Sequence, residues 1–232
     1  MHTDRIETKK AQLADVWLSV LLLGSLWGFS EVVLGGILSA AGFPYRSALL
    51  TGVGMGLLAV CMAMFQSPLL LPVIALVAIL CKQLVVPILH VSVMCKANSC
   101  LAVGLESLAL SGVVTLGRRV VQRSALARIV AGAGAALLSA AAFYLVGPHV
   151  APCQYLLSFA HKGGLPAFLI AEGLPWAVFS ALLFPAGYWL GERLKQAAPV
   201  LKAKRPCVYY ATNAVLITGS WLASAAAIAA GF

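Results

Sequence analysis

The chain has 232 residues, of which 62% are hydrophobic and only 10% are charged. Because roughly a quarter of the residues of a soluble domain are charged, this composition excludes an ordinary soluble fold. The net charge of +9 would indicate nucleic-acid binding in a soluble protein, but in a membrane protein basic residues mark the cytoplasmic loops. We therefore expect a membrane protein that does not bind nucleic acid.

Apolar segments of about 18 to 28 residues recur along the chain, and each is long enough to cross a hydrocarbon layer of ~30 Å. The sequence predicts one all-α domain, a polytopic helical membrane bundle with a cytoplasmic tail at residues 1–11. The seven predicted spans are residues 12–41, 46–65, 68–92, 99–116, 127–147, 165–191 and 206–230. A multi-pass protein of the cell inner (cytoplasmic) membrane is the expected location. We expect no cleavable signal peptide, because the first apolar span is too long for one.

The basic residues predict the orientation of the spans. Twelve of the sixteen fall on the side of the N-terminus: Arg5, Lys9, Lys10, Arg118, Arg119, Arg123, Arg128, Arg193, Lys195, Lys202, Lys204 and Arg205. Arg46, Lys96 and Lys162 fall on the other side, and Lys82 lies within the third span. Since cytoplasmic loops are enriched in Lys and Arg, we predict a cytoplasmic N-terminus and an external C-terminus.

Small residues form stripes on the first and fifth spans. Gly24 and Gly28 make a Gly-x-x-x-Gly pair, and Ala131, Ala135 and Ser139 repeat at four-residue spacing. Such stripes let two helices approach closely. They indicate either packing within the bundle or a face that docks a partner membrane protein.

Three prolines predict irregular helices. Proline removes a backbone donor, so we expect Pro87 to break the third span and Pro175 and Pro185 to break the sixth. Pro175 lies one turn from Glu172, which predicts an irregular helix at that carboxylate. The segment that follows the fifth span, residues 148–164, could form a lid over the outer mouth or a plain connector.

Four ionisable residues lie inside apolar spans: Glu31, Lys82, Glu106 and Glu172. At 1.5 Å per residue they all lie about 10–16 Å below the predicted outer surface. Because a charge inside the membrane is costly, such residues are rarely without a role. We predict a substrate-binding pocket that opens outward, in which Lys82 faces an anionic group and the glutamates face a cationic or donor-rich group. Aromatic walls are expected from Trp27, Tyr45 and Trp176. The alternative is a Lys–Glu pair that only fixes the register of the helices.

A second group of residues falls at the predicted outer boundary: His90, Met94, Cys95, Cys100, His149, Cys153 and His161. Cys95 and Cys100 could form a local disulfide or remain free thiols. The alternative is a transition-metal or haem site built from thiol, thioether and imidazole ligands, although no recognised metal-binding spacing occurs. We otherwise expect no cofactor and no resident metal.

Sequence motifs for catalysis are absent. The chain has no phosphate-binding loop of the Gly-x-x-x-x-Gly-Lys-[Ser/Thr] type, so it does not itself hydrolyse ATP. It also lacks Gly-x-Ser-x-Gly and His-Glu-x-x-His. We therefore do not expect an enzyme.

The small Gly/Ala-rich bundle and the segment Trp27-Gly-Phe-Ser-Glu31-Val-Val-Leu-Gly-Gly36, followed by Lys82 and Glu106, carry a family resemblance. The chain resembles the substrate-binding S components of energy-coupling factor transporters, whose usual six spans it exceeds by one. The resemblance implies that the chain captures a small molecule from outside for uptake. It also implies a separate membrane scaffold and a pair of cytoplasmic ATPase subunits, docked on the stripes of spans one and five.

Two other functions remain open from the residues alone. One is a redox, haem- or metal-handling membrane protein that uses the outer cysteines and histidines. The other is a structural subunit of a membrane complex, in which the Lys–Glu group locks the assembly.

Overall fold

The computed structural model describes residues 2–161 and 163–231, with side chains from residue 13 onward. The side chains of Arg5, Lys9 and Lys10, and all of Lys162, lie outside the described residues. Every regular element in the described part is a helix, and no β-strand occurs there. Seven helices in it are long and apolar enough to cross a membrane: α1 Leu13–Ala40, α2 Arg46–Phe65, α3 Leu70–Leu89, α4 Val93–Arg123, α5 Ala125–Val150, α6 Gly164–Lys204 and α7 Pro206–Ala229. The predicted all-α, polytopic membrane bundle is confirmed.

Helices α2 and α6 form the centre of the bundle, where their backbones touch. A Cβ atom added to Gly187 would lie 2.0 Å from the carbonyl oxygen of Gly56, and one added to Gly191 would lie 2.6 Å from that of Val60. Only glycine permits this approach. Helix α2 consequently has the largest buried fraction among the spans.

The small-residue stripes of α1 and α5 are covered within the chain. A Cβ atom on Gly24 would lie 2.5 Å from Cβ of Val77 on α3, and one on Gly132, which follows Ala131 of the α5 stripe, would lie 2.7 Å from the carbonyl oxygen of Ser180 on α6. Ala135 of the fifth-span stripe is fully buried. The stripes therefore serve packing within the bundle, which leaves neither of them free to dock another membrane protein.

Helix α3 is interrupted before its proline rather than at it. It consists of Leu70–Lys82 and Val85–Leu89, with the break at Gln83 and Leu84. Pro87 lacks the N–H that would bond the carbonyl of Gln83, four residues earlier, and its ring crowds that carbonyl. The expected break is therefore present, one turn nearer Lys82 than the proline itself.

Helix α6 is irregular just before Pro175 but not at Pro185. The predicted break at Pro185 is wrong, because the helix continues from Leu174 to Lys204 through it. A proline inside a membrane helix is tolerated where neighbouring protein re-satisfies the freed backbone groups.

At one end of the bundle, helices extend into segments that the sequence predicted to be loops. Helix α4 continues to Arg123, α6 continues to Lys204, and Ser124 alone separates α4 from α5. The hydroxyl of Ser124 accepts a hydrogen bond from the Ala127 N–H and so caps α5. The predicted basic loops are thus mostly basic helix ends.

Ion pairs tie these basic ends together. Lys202 Nζ lies 2.7 Å from the carboxylate of Asp15 at the start of α1, and Arg128 lies 3.5 Å from Glu192. The guanidinium of Arg128 also lies 3.9 Å above the ring of Tyr188. The start of α1 and the basic helix ends therefore share one end of the bundle. This end is the predicted cytoplasmic one, and the opposite end is the predicted outer one.

Candidate binding site

Two of the predicted carboxylates lie on π-helical turns. Glu31 lies in the π-turn Ser30–Leu34 of α1, and Glu172 lies in the π-turn Leu169–Gly173 of α6. A π-turn inserts an extra residue into an α-helix and is frequent at functional sites. The irregularity predicted at Glu172 is confirmed. The one at Glu31 was not predicted, because no proline lies near it.

Glu31 and Lys82 form a buried ion pair between α1 and α3. Lys82 Nζ lies 2.6 Å from Glu31 Oε2, and the two side chains are 6% and 8% exposed. The ammonium group of Lys82 also donates to the hydroxyl of Ser99 on α4. The pair therefore joins three helices, and the charge of Lys82 is neutralised inside the protein.

Glu106 on α4 is buried and only half satisfied. Its Oε1 accepts a hydrogen bond of 2.9 Å from Thr51 on α2, while its Oε2 has no partner among the described residues. Glu106 is 3% exposed, so this oxygen is shielded from bulk solvent. A buried carboxylate oxygen without a donor is costly, which indicates a place for a ligand group.

Glu172 receives only neutral donors from the protein. The hydroxyl of Ser47 donates to its Oε2 at 2.8 Å, and the phenol of Tyr155 donates to its Oε1 at 2.5 Å. Tyr155 belongs to a short helix, Gln154–Ser158, here called the loop helix, between α5 and α6. Partial burial, and then the bond to Glu172, raise the pKa of Tyr155, so the phenol stays protonated and remains the donor.

All three glutamates face one cavity of about 460 Å³, here called the glutamate cavity, whose volume is typical of a small-molecule site. Its remaining polar lining is Arg46, Ser47, Thr51, Asn98, Ser99 and Tyr155. Its apolar walls are Phe43, Pro44, Leu50, Ala102, Val103, Phe143, Phe168 and Trp176. Trp176 therefore provides an aromatic wall as the sequence predicted, and its indole N–H is buried without a partner in the described part of the chain.

A smaller cavity of about 280 Å³, here called the lysine cavity, adjoins the first. The two share Glu31, Arg46, Leu50 and Ser99 as lining residues. The lysine cavity is further lined by Val32, Gly35, Gly36, Ser39, Lys82, Lys96 and Ile228. Both cavities lie at the end of the bundle opposite the basic helix ends, between the α1–α2 connection and the start of α4.

Two predicted aromatic walls lie elsewhere. Trp27 is fully buried in the core, where a Cβ atom on Gly54 would lie 2.6 Å from its ring. Tyr45 is 53% exposed and packs edge-on against Phe43, with ring centroids 6.3 Å apart. Phe43, rather than Tyr45, lines the glutamate cavity. Both expectations are therefore corrected: Trp27 packs in the core, and Tyr45 is not among the residues that line either cavity.

Several lining residues were not predicted, namely Arg46, Ser47, Thr51, Lys96, Asn98, Ser99, Phe143, Tyr155 and Phe168. Hydroxyl side chains in membrane helices commonly bond their own backbone, so their type alone does not reveal a site. Arg46 and Lys96 were counted only for orientation. For Tyr155 the only indication from the sequence was that residues 148–164, which include it, could form a lid over the outer mouth.

Among the described residues, the outer cysteines and histidines do not form a group of three or more metal ligands. All six cysteines are free thiols, and Cys100 lies 3.4 Å from the amide nitrogen of Gln83. Within the part of the chain that the structure describes, no group of three or more His, Cys, Asp or Glu side chains is placed to hold a metal ion. That statement covers six of the proposed alternative ligands, namely His90, Cys95, Cys100, His149, Cys153 and His161, and does not extend to the thioether of Met94.

Comparisons of the chain with protein-family models, with curated proteins and with solved structures found no significant match in any of the three. A function for this chain is therefore argued from the residues and geometry of the site itself.

Proposed function

We propose that this protein is a membrane-embedded substrate-binding subunit, which captures a small molecule from the outer side of the cell inner membrane for uptake. The observation that carries the proposal is Glu106, which lines the glutamate cavity and whose buried Oε2 has no hydrogen-bond partner among the described residues. The S-component resemblance and the position of the cavity at the predicted outer end agree with it.

The balance of charges supports a ligand rather than an internal lock. Lys82 neutralises Glu31, and no Lys or Arg among the described residues lies within 4 Å of Glu106 or Glu172. Buried carboxylates are stable when they are paired or fully hydrogen-bonded. A substrate with a cationic or donor-rich group would provide the missing partner, and the indole N–H of Trp176 offers it an additional donor.

Uptake by this chain requires other subunits, because the sequence has no nucleotide-binding loop. In the proposal, a membrane scaffold and ATPase subunits drive the cycle. They would contact a face other than the two small-residue stripes, which α3 and α6 cover.

One observation favours a second candidate, a structural subunit of a membrane complex. The buried Lys82–Glu31 pair joins α1, α3 and α4 and would hold them in register without any ligand. This candidate explains Glu31 and Lys82 but leaves the half-satisfied Glu106 without a role.

The two candidates are separated by native mass spectrometry of the protein purified from its own membrane, with an absorption spectrum of the same sample. We expect one small molecule per chain in the wild type and in Glu192→Gln, a carboxylate control at the basic end, and an empty Glu106→Gln. Co-purified membrane subunits with no retained molecule would favour the structural role. A haem band or bound transition metal would instead revive the outer-face alternative.

A further inference from the structure

We infer that the substrate is amphoteric: it carries a protonated amine or similar cationic donor at one end and an anionic group, such as a carboxylate or phosphate, at the other. This inference rests on the proposed function and names the substrate class for the same site. It comes from the opposite charges of the two adjoining cavities.

The two cavities differ in the sign of their charged lining. The glutamate cavity has three carboxylates and one cation, Arg46. The lysine cavity has three cations, Arg46, Lys82 and Lys96, and one carboxylate, Glu31. Since Glu31 and Arg46 belong to both linings, a single molecule that spans the junction would meet acidic groups at one end and basic groups at the other.

The cationic end of the substrate is assigned to Glu106 and Glu172. In the described part of the chain both receive hydrogen bonds only from uncharged hydroxyl groups. An ammonium group has several N–H donors and could bond the free Oε2 of Glu106. A charge-assisted bond of this kind is roughly twice as strong as a neutral one.

The anionic end is assigned to Arg46 and Lys96, which corrects the sequence-based expectation that Lys82 receives the anion. Lys82 is occupied by Glu31 and Ser99, whereas neither Arg46 nor Lys96 has a carboxylate within 4 Å among the described residues. Arg46 also begins α2, where a positive charge opposes the helix dipole. A bound anion would relieve that unfavourable placement.

An apolar body between the two charged ends would match the walls of the glutamate cavity. The rings of Phe143 and Trp176 have centroids 6.3 Å apart, and those of Phe143 and Phe168 are also 6.3 Å apart. Phe168 and Trp176 are 1% and 5% exposed, so this aromatic wall is packed into the bundle. These rings define where the uncharged part of the substrate lies.

The test uses three probes that share one phenyl body: phenethylamine has only the amine, 4-ethylbenzoate has only the acid, and 4-(2-aminoethyl)benzoate has both, at opposite ends of the ring. Affinities are measured by isothermal titration calorimetry on the full chain in lipid nanodiscs. We expect 4-(2-aminoethyl)benzoate to bind about tenfold or more tightly than either partial probe, as one additional charge-assisted contact predicts. Arg46→Gln should reduce the affinity for 4-(2-aminoethyl)benzoate to that for phenethylamine, whereas Arg123→Gln at the basic end should leave it unchanged.

Equal affinities for phenethylamine and 4-(2-aminoethyl)benzoate in the wild type would overturn the anionic subsite and leave the capture function standing. If none of the three probes binds, the molecule retained in the native mass spectrum decides: both charge signs on it support the inference, and one sign overturns it. Absence of both probe binding and a retained molecule would overturn the proposed function as well. Lys96→Gln provides a second variant should Arg46→Gln fail to fold.

Discussion

Glu31 and Glu106 are both carboxylates in the wall of one cavity, but only Glu31 has a cation beside it. Lys82 lies 2.6 Å from Glu31, whereas Glu106 has a single neutral donor, Thr51. The membrane interior imposes the same cost on both carboxylates. The chain meets that cost for Glu31 and leaves it partly unmet for Glu106.

This difference separates a structural charge from a binding charge. A carboxylate that is paired within the protein contributes to stability, since removal of its partner leaves a buried charge uncompensated. A carboxylate with an open oxygen in a cavity contributes to ligand binding, and its removal should cost little stability. Variants that alter one carboxylate at a time can test this separation.

The largest effect is expected from Lys82→Met, which leaves Glu31 buried without its cation. Breaking a buried pair in this way costs about 3–5 kcal/mol of unfolding free energy. The measurement is reversible unfolding of the detergent-solubilised protein by sodium dodecyl sulfate. The double variant Lys82→Met with Glu31→Gln removes both charges and should recover most of the loss. A Lys82→Met protein as stable as the wild type would contradict a structural role for the pair.

A smaller effect, on binding rather than stability, is expected from Glu106→Gln. The carboxamide keeps an acceptor for Thr51 but loses the charge, so affinity for the retained ligand should fall by about 1.5–3 kcal/mol, or roughly 10- to 150-fold. The unfolding free energy should change by less than about 1 kcal/mol, because the internal hydrogen bond remains. Titration calorimetry and unfolding are measured on the same preparation.

Glu192→Gln is the matched control for that change. Its carboxylate is half-exposed, lies at the opposite end of the bundle from the cavities, and forms an ion pair of 3.5 Å with Arg128. It should leave both quantities unaltered. If Glu106→Gln loses several kcal/mol of stability while it retains the ligand, Glu106 belongs with the structural charges.

The sequence was sufficient for the spans and for the identity of the charged residues. Apolar length and charge pattern predicted seven helices, and the unusual presence of Glu31, Glu106 and Glu172 in them marked the site. Pro175 was sufficient to predict the irregular turn at Glu172. These features depend on local sequence, which is why they were accessible.

The partners of those charges could not be predicted, because they depend on how the helices rotate against one another. Which of three glutamates neutralises Lys82, and whether Trp27 faces the core or the cavity, are decided by close contacts such as that of Trp27 with Gly54. In the sequence, Arg46 could not be distinguished from a basic residue that only marks which side of the membrane a loop lies on. Its role as a lining residue depends on the shape of the two cavities. For the same reason the sequence could not decide whether the small-residue stripes pack within the bundle or dock a partner.

The smallest effect is expected at Glu172. It is intermediate between Glu31 and Glu106, because both of its oxygens accept hydrogen bonds but only from neutral hydroxyl groups. Tyr155→Phe removes one of them, and since Tyr155 is 57% exposed the loss of stability should be under about 1 kcal/mol. The raised pKa of Tyr155 determines how the difference in unfolding free energy between the wild type and Tyr155→Phe depends on pH. The phenol is protonated in both states below pH ~10, so the difference between wild type and variant should be constant from pH 6 to 9.

Above about pH 10 the phenol of the unfolded chain ionises before that of the folded chain, which favours unfolding and should shrink the difference. Unfolding free energies across this range measure it, and the background Glu172→Gln provides the cycle that isolates the contact. In that background the phenol faces an amide rather than a carboxylate, so Tyr155→Phe should have a smaller effect at every pH. An undiminished effect there would show that the Tyr155 hydroxyl stabilises the folded chain through contacts other than its hydrogen bond to Glu172.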